Sequence, residues 1–428
     1  MIRAVLRKGR QMGSDPVLRR WLLGRLFGQW PGEPTFRAHC PPYLDGLLPL
    51  TLETPHTDLK EGDPPPLTPI ELRLPGLRLN LAPGDECGLF QRPFDDVESL
   101  LGLHRFAWIN ASDGEVDPAW VWALWGVWCE GYQTPDETWA WHPYTAAERA
   151  INILAFSRRH GLPGPRDETI RILAGHAPAI ADRLEYFGDH HTSNHLANDG
   201  RGLYLLGLDL GLPNSTEIGA RILTEEAARI FRPSGILREG SSHYHLLLAH
   251  NYAGCAAAAE KADRPEADAL ETIAKKARSV IPHLKLPGGF PLVGDISPDC
   301  SPRGLLEKND DKATPDASRN SLAADGWLRA DFGPWSGLWH GAPGGWAQMP
   351  GHGHQDMGSF EIHYDDQPVF IDPGRGAYGE TGDAALYRSG RVHNTLLMNG
   401  ADPFPANKPY YNEKFRRHIG GPAPQLTK

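Results

Sequence analysis

The sequence predicts an α+β multidomain protein: an arc of helical hairpins closing towards a toroid, followed by a strand-rich domain. Three observations predict it. Residues 106–300 carry helical periodicity interrupted by short Gly/Pro/Asn loops such as Gly161-Leu162-Pro163-Gly164. Residues 301–325 are polar and charged, with Lys308-Asn309-Asp310-Asp311-Lys312 at their centre, and read as a linker. From Gly326 the apolar period shortens to two, and helices followed by strands in separate runs indicate separate α and β domains.

In chain order, residues 1–105 are proline-rich and read as an irregular N-terminal arm packed on the next domain. Within it, residues 17–27 suit a short basic amphipathic helix. Leu72-Arg73-Leu74 and Leu77-Arg78-Leu79, with Leu81, suit short strands. The helical domain offers helices over 118–131, 146–160, 167–186, 194–207, 215–231, 244–261 and 266–281. Thr145 three residues before Glu148, and Asn214 three before Glu217, have the spacing of a capping box. Helices of this length joined by short loops pack as antiparallel hairpins, and an arc of them leaves a cleft on one face. In the strand domain, residues 326–428, the run Phe360-Glu361-Ile362-His363-Tyr364 alternates as a half-buried strand does. Asp365-Asp366-Gln367 turns it into Val369-Phe370-Ile371, which ends at Asp372-Pro373-Gly374.

Composition narrows the function. With 53 acidic against 43 basic residues the formal charge is -10, which argues against a nucleic-acid partner. Thirteen tryptophans fit either sugar stacking or ordinary core filling. Five scattered cysteines, never in a C-x-x-C pair, give neither a disulfide framework nor a zinc knuckle. No run reaches the roughly 18 apolar residues of a membrane span. Residues 1–20 are basic but lack an apolar signal core, so the chain as written reads as cytoplasmic, or periplasmic if an upstream start supplies a signal. A homo-oligomer is compatible with this composition.

Three clusters carry chemistry. His190-His191-Thr192-Ser193-Asn194-His195 precedes an apolar helix; asparagine there is either a cap or part of a site. Arg238-Glu239-Gly240-Ser241-Ser242-His243-Tyr244-His245 is a second loop-to-helix junction. Its Tyr244 is either a proton-transfer group or a core hydroxyl. Pro350-Gly351-His352-Gly353-His354-Gln355-Asp356, with Asp372 and His393, sets imidazoles and carboxylates at strand ends, where a metal or a base can be held. Residues two apart share a face in a regular strand, but the glycines around His352 permit a turn that aims the two rings apart. Spacing alone does not choose.

These segments resemble, in order, the heparinase II/III-like polysaccharide lyases and the related alginate lyases. The matching stretches are Asn194-His195, Arg238 to His245, His352 to Asp356, Ile371 to Gly374, and Arg388-Ser389 to His393-Asn394-Thr395, together with Pro291 to Asp295. The resemblance covers about residues 140 to 400. It implies an incomplete α/α toroid followed by an antiparallel β-sandwich with the active cleft between them, and an acidic, uronate-containing polysaccharide as substrate. It also implies that Asn194 and His195 neutralise the uronate carboxylate, that Tyr244 transfers the proton, and that His352 assists it. His354, Asp372 and His393 would hold a structural zinc. Trp141, Tyr144, Arg149, Arg238 and Arg388 are candidate substrate-binding residues. A second catalytic tyrosine has Tyr378 and Tyr387 as candidates. Residues after His393 number about 35, fewer than the family's sandwich uses, so a short, truncated or partner-completed sandwich is expected. Two other readings remain: a glycan-binding protein of this fold without turnover, and a metal-dependent hydrolase built on the His-x-His-x-Asp run.

Overall fold

The computed structural model of the chain describes residues 2–28, 40–64, 66–111, 117–188, 193–310, 319–341, 351–376, 381–404, 415 and 426–427. His190, His191, Pro350 and Tyr378 lie outside the described residues.

The N-terminal arm is more ordered than its proline content suggests. It opens with α1 (Ile2–Ser14) and α2 (Pro16–Leu26), the second close to the expected 17–27. Further on, β1 (Ile70–Leu74) and β2 (Leu77–Leu81) form an antiparallel hairpin with Leu72 opposite Leu79. Leu72, Leu74, Leu79 and Leu81 alternate onto one face and bury in the same hydrophobic cluster as Trp120, Trp125 and Trp128. A two-stranded hairpin is marginal alone and depends on such packing. From Leu44 onward the described part of the arm belongs to the helical core, whereas Trp21 of α2 packs on Phe415.

The helices are α3 (Val97–His104), α4 (Trp108–Ala111), α5 (Pro118–Tyr132), α6 (Pro143–His160), α7 (Arg166–Ala181), α8 (Asn194–Leu210), α9 (Pro213–Ile230), α10 (Ser242–Lys261) and α11 (Ala267–Leu284). Successive pairs α8–α9 and α10–α11 form hairpins, and α6 packs on α7 and α8. Two expected capping boxes are corrected. Both α6 and α9 start with proline at the first helical position, after His142 and Leu212, so Thr145 and Asn214 fall inside the first turn. The start of α9 is capped from a distance: Glu53 in the arm accepts from the N–H groups of Asn214 and Ser215 at 3.0 and 3.1 Å. Helix α7 also stops five residues earlier than the expected end at Tyr186, and the loop that follows carries Glu185.

The segment 301–325 is not a plain linker. It contains α12 (Pro302–Asp310) and α13 (Arg319–Ala324), anchored by buried Leu305 and Leu322. Arg303, Glu307, Lys308 and Arg319 lie on the solvated side of these short helices, and residues 311–318 lie outside the described residues. Then come β3 (Trp327–Phe332), β4 (Trp335–His340), β5 (Ser359–Tyr364) and β6 (Gln367–Phe370), an antiparallel sheet in sequence order, followed by α14 (Gly382–Arg388). Among the described residues these four strands are one sheet of the expected β-domain. Its inner edge joins the helices through Ile236, Val280, Leu284, Trp327 and Leu338. On β5 the buried side is the polar one. Ser359, Glu361 and His363 face in, and His363 Nδ1 accepts from the Gly288 N–H at 3.0 Å. No helix among the described residues is long and apolar enough to cross a membrane.

Candidate active site at the seam between the domains

Two loops interlock where the helices meet the sheet. Glu239-Gly240-Ser241 leads into α10, and Gly351-His352-Gly353-His354 leads towards β5. The His352 N–H donates to the Glu239 carbonyl at 2.9 Å, and the Asp295 N–H donates to the His352 carbonyl at 2.8 Å. So close a backbone approach needs glycine. Gly351 has φ +61°, and a Cβ there would lie 2.8 Å from Glu239 Cβ; Gly294 has φ +76°, and its Cβ would lie 2.5 Å from the Gly240 carbonyl oxygen.

This seam brings together three of the four expected catalytic residues. Ser193 takes the capping role at α8, accepting from the His195 N–H, so Asn194 is released from it. The Asn194 backbone N–H donates to Glu239 Oε1 at 2.6 Å, and its Nδ2 donates to Glu239 Oε2 at 2.9 Å. The same Nδ2 lies 2.9 Å from His352 Nε2. Tyr244, in the first turn of α10, stacks its ring on the His352 imidazole with centroids 3.4 Å apart and planes 11° from parallel. The other imidazole nitrogen, His352 Nδ1, is 3.0 Å from Asp295 Oδ2.

His195 points along a different line. Its Nδ1 is 2.9 Å from Glu185 Oε2, and its ring is 4.8 Å from that of Tyr144. Burial alone would lower the His195 pKa, but the Glu185 carboxylate outweighs it and raises it. The Arg105 guanidinium lies 4.9 Å over the Tyr144 ring. Burial, helped by Glu148, raises the Tyr144 phenol well above its ordinary value.

The glycine-flanked histidines separate as the turn allows. His352 stays partly open, while the His354 side chain is fully enclosed and places Nε2 2.6 Å from Asp295 Oδ1. His354 Nδ1 is buried and has no hydrogen-bond partner among the described residues. The rings of His354 and His393 are 5.1 Å apart, and His393 Nδ1 is 3.0 Å from Asp372 Oδ2. His393 Nε2 is 2.8 Å from the Tyr387 carbonyl. Burial would lower the His393 pKa, and the bond to Asp372 more than offsets that. The donors suit zinc in kind. In this arrangement Asp372 and His393 face each other, and among the described residues no three such side chains converge on one metal position. Asp356, also in this cluster, is buried, which disfavours its charge; the His340 imidazole outweighs this and holds it at about 2.

Of the expected substrate-binding residues, two are corrected. Trp141 and Arg149 are 1% and 0% exposed, so neither can touch a sugar. Arg149 lies 4.0 Å over Trp128 and 4.9 Å over Trp141 and donates to the Ala140 carbonyl at 2.7 Å; burial pushes its pKa down to about 9. An indole and a guanidinium in sequence look alike whether they line a cleft or fill a core. Tyr144 and Arg238 are half-buried near the site, and burial lowers the Arg238 pKa against the pull of Glu239. Arg388 is half-buried at the end of α14 and receives the Gln355 N–H on its carbonyl at 3.0 Å. Tyr387 reaches the site region through its backbone carbonyl.

Sequence reasoning passed over the carboxylates that organise these groups. Glu239 and Asp295 sat inside recognised segments, and that adjacency was their signal. Glu185 had none, because its partner His195 is reached only through the fold.

The molecule is thus a helical-hairpin domain and an antiparallel sheet that share a polar seam of tyrosine, histidine and asparagine. Residues 314–418 match the family model described as heparinase II/III-like, C-terminal. The fold of the chain is similar to that of heparinase III, with a TM-score of 0.57 at 18% identity over 73% of this chain and 57% of that one. A heparan sulfate lyase HepC from Pedobacter heparinus aligns with a TM-score of 0.44 and 16% identity, over 76% and 57% of the two chains. The chain therefore spans little more than half the length of these proteins. A comparison with curated proteins finds no match.

Proposed function

We propose that the chain is a polysaccharide lyase that cleaves a uronate-containing glycan by β-elimination. The observation that carries this reading is the Tyr244–His352 stack with the Asn194 amide against His352 Nε2. Hexuronate elimination needs a base at C5, an acid at O4 and donors for the carboxylate. The base removes the C5 proton, the C5–H electrons form the C4–C5 double bond, and the C4–O4 bond breaks as O4 takes a proton. Tyr244 suits the proton transfers because its hydroxyl can accept and donate in turn. Asn194 and His195 suit the carboxylate, where charge builds as the C5 proton leaves. The amide hydrogen that Asn194 directs at His352 Nε2 can turn to the substrate, which leaves that nitrogen free to assist Tyr244.

The metal expectation belongs to the same reading. His354, through its buried Nδ1, with Asp372 and His393, would hold a zinc. Bound there, the ion would supply rigidity to the loop that carries His352, and no proton transfer involves it.

The test is a panel of uronate polymers, including alginate, heparan sulfate, chondroitin and hyaluronan, followed by the ultraviolet absorbance of the 4,5-unsaturated product. A rise that Tyr244→Phe abolishes supports the reading. Binding to a polymer with no product from any would replace it with the non-catalytic glycan-binding reading.

A further inference from the structure

Among the described residues, Asp295 is the carboxylate that touches both histidines of the Gly351–His354 turn. Its Oδ2 is 3.0 Å from His352 Nδ1, and its Oδ1 is 2.6 Å from His354 Nε2. A carboxylate held between two imidazoles and the Arg375 guanidinium, 2.6 Å from Oδ1, acts as an acceptor. Each nitrogen that faces it must then carry the hydrogen. A second chain of contacts reaches the same result for His352 independently. Glu239 Oε2 accepts from Asn194 Nδ2, so that atom is the amide nitrogen and not the oxygen. The amide nitrogen donates, so His352 Nε2, 2.9 Å away, receives and is bare. For His354 the complementary sign is the buried Nδ1, the position of a bare lone pair, which has no partner among the described residues.

We propose that Asp295 is a positioning residue that sets opposite tautomers on the two histidines, Nδ1–H on His352 and Nε2–H on His354. One carboxylate thereby points a bare nitrogen into the cleft at His352 and another into the protein interior at His354. Its own placement is fixed from both domains. The Ser241 hydroxyl donates to the Asp295 carbonyl at 2.6 Å, and the Asp295 N–H donates to the His352 carbonyl at 2.8 Å. The functional weight of this arrangement rests on the lyase reading, but the tautomers do not.

The experiment is long-range proton–nitrogen correlation on the full chain with labelled imidazoles, at a pH where both rings are neutral. The expected result is a protonated Nδ1 with bare Nε2 on His352, and the reverse on His354. In Asp295→Asn the side chain has one acceptor oxygen and one donor NH2, so it can hold one histidine as before and must turn the other to its opposite tautomer. If His352 switches, kcat falls on the order of 10²–10⁴-fold, the range a general acid–base group contributes, and KM changes little. A protonated Nε2 on His352 in the unmodified chain overturns the proposal and needs no variant to fold. So do unchanged tautomers on both rings in Asp295→Asn. Correct tautomers in a chain that turns over no uronate polymer would instead sink the lyase reading and leave the role of Asp295 intact.

Discussion

The ring of Tyr244 lies flat on the imidazole of His352, 3.4 Å between centroids, although the two residues belong to different domains. The helix that starts after Ser241 carries one partner, and a glycine-flanked turn before the sheet carries the other. Aromatic contacts of this kind contribute about 0.5–1.5 kcal/mol beyond area burial, so the stack both joins the domains and aligns the candidate proton-transfer pair.

Tyr244→Phe keeps the stacked ring and removes only the hydroxyl. Turnover on a confirmed uronate polymer should fall on the order of 10²–10⁴-fold, while thermal unfolding stays near that of the parent. Retained turnover would remove Tyr244 from the chemistry.

Asn194→Asp replaces the amide donor with a second carboxylate against Glu239, where Nδ2 now sits 2.9 Å from Oε2. The lost bond and the buried like-charge contact should together destabilise the chain by roughly 1–3 kcal/mol or more. Denaturant unfolding at neutral pH reads this directly. Lowering the pH should recover part of the loss, since protonating one carboxyl restores a donor.

The His195–Glu185 pair predicts a window in pH. The raised His195 pKa means a contribution fully present below the ordinary imidazole value of about 6.5 and lost as pH rises through the raised one. The Glu185 carboxyl is lowered, its pairing with His195 outweighing the opposing effect of burial, so its share is present above the ordinary carboxylate range and lost as pH falls. The difference in Tm between the parent and His195→Gln should therefore peak in mildly acidic buffer and shrink above neutrality. A difference that grows with alkaline pH would contradict the pairing.

Arg149→Ala tests the correction that moved this residue from cleft to core. It removes a guanidinium packed on Trp128 and Trp141. A loss of roughly 2–5 kcal/mol is expected, as for other large-to-small core changes. KM for substrate should be unchanged in the folded fraction. A higher KM with normal stability would return Arg149 to the cleft.

Purified protein should carry about one zinc per chain if His354, Asp372 and His393 share a tetrahedral site. A chelator should then lower Tm, and His354→Ala should abolish both the metal and the chelator effect. Metal-free protein whose Tm is indifferent to His354→Ala would remove zinc from the account.

Much of the layout was legible in the chain. The helices at 118–132 and 194–210, and the strand pair that begins at Ser359 and turns at Asp365-Asp366, follow from apolar period and turn residues, which act over a few positions. Helix starts were less legible where Pro143 and Pro213 supplied them and where Glu53 capped α9 from the arm. The ordered motifs located Asn194, Tyr244 and His352 as candidates. They did not separate Trp141 and Arg149, which fill the core, from the residues that face the seam.

The sequence by itself determined which residue types stand at which turns, and so the order of helices, strands and candidate groups. Only the tertiary structure decided that Asn194, Tyr244, Glu239, Asp295 and His352 meet. Hydrogen bonds and ring stacking act within a few ångströms, and the partners His352 and Asn194 are 158 residues apart along the chain. Such a contact exists only once the helical core and the sheet have closed on each other, and the glycines at 294 and 351 are what let the two backbones come that near.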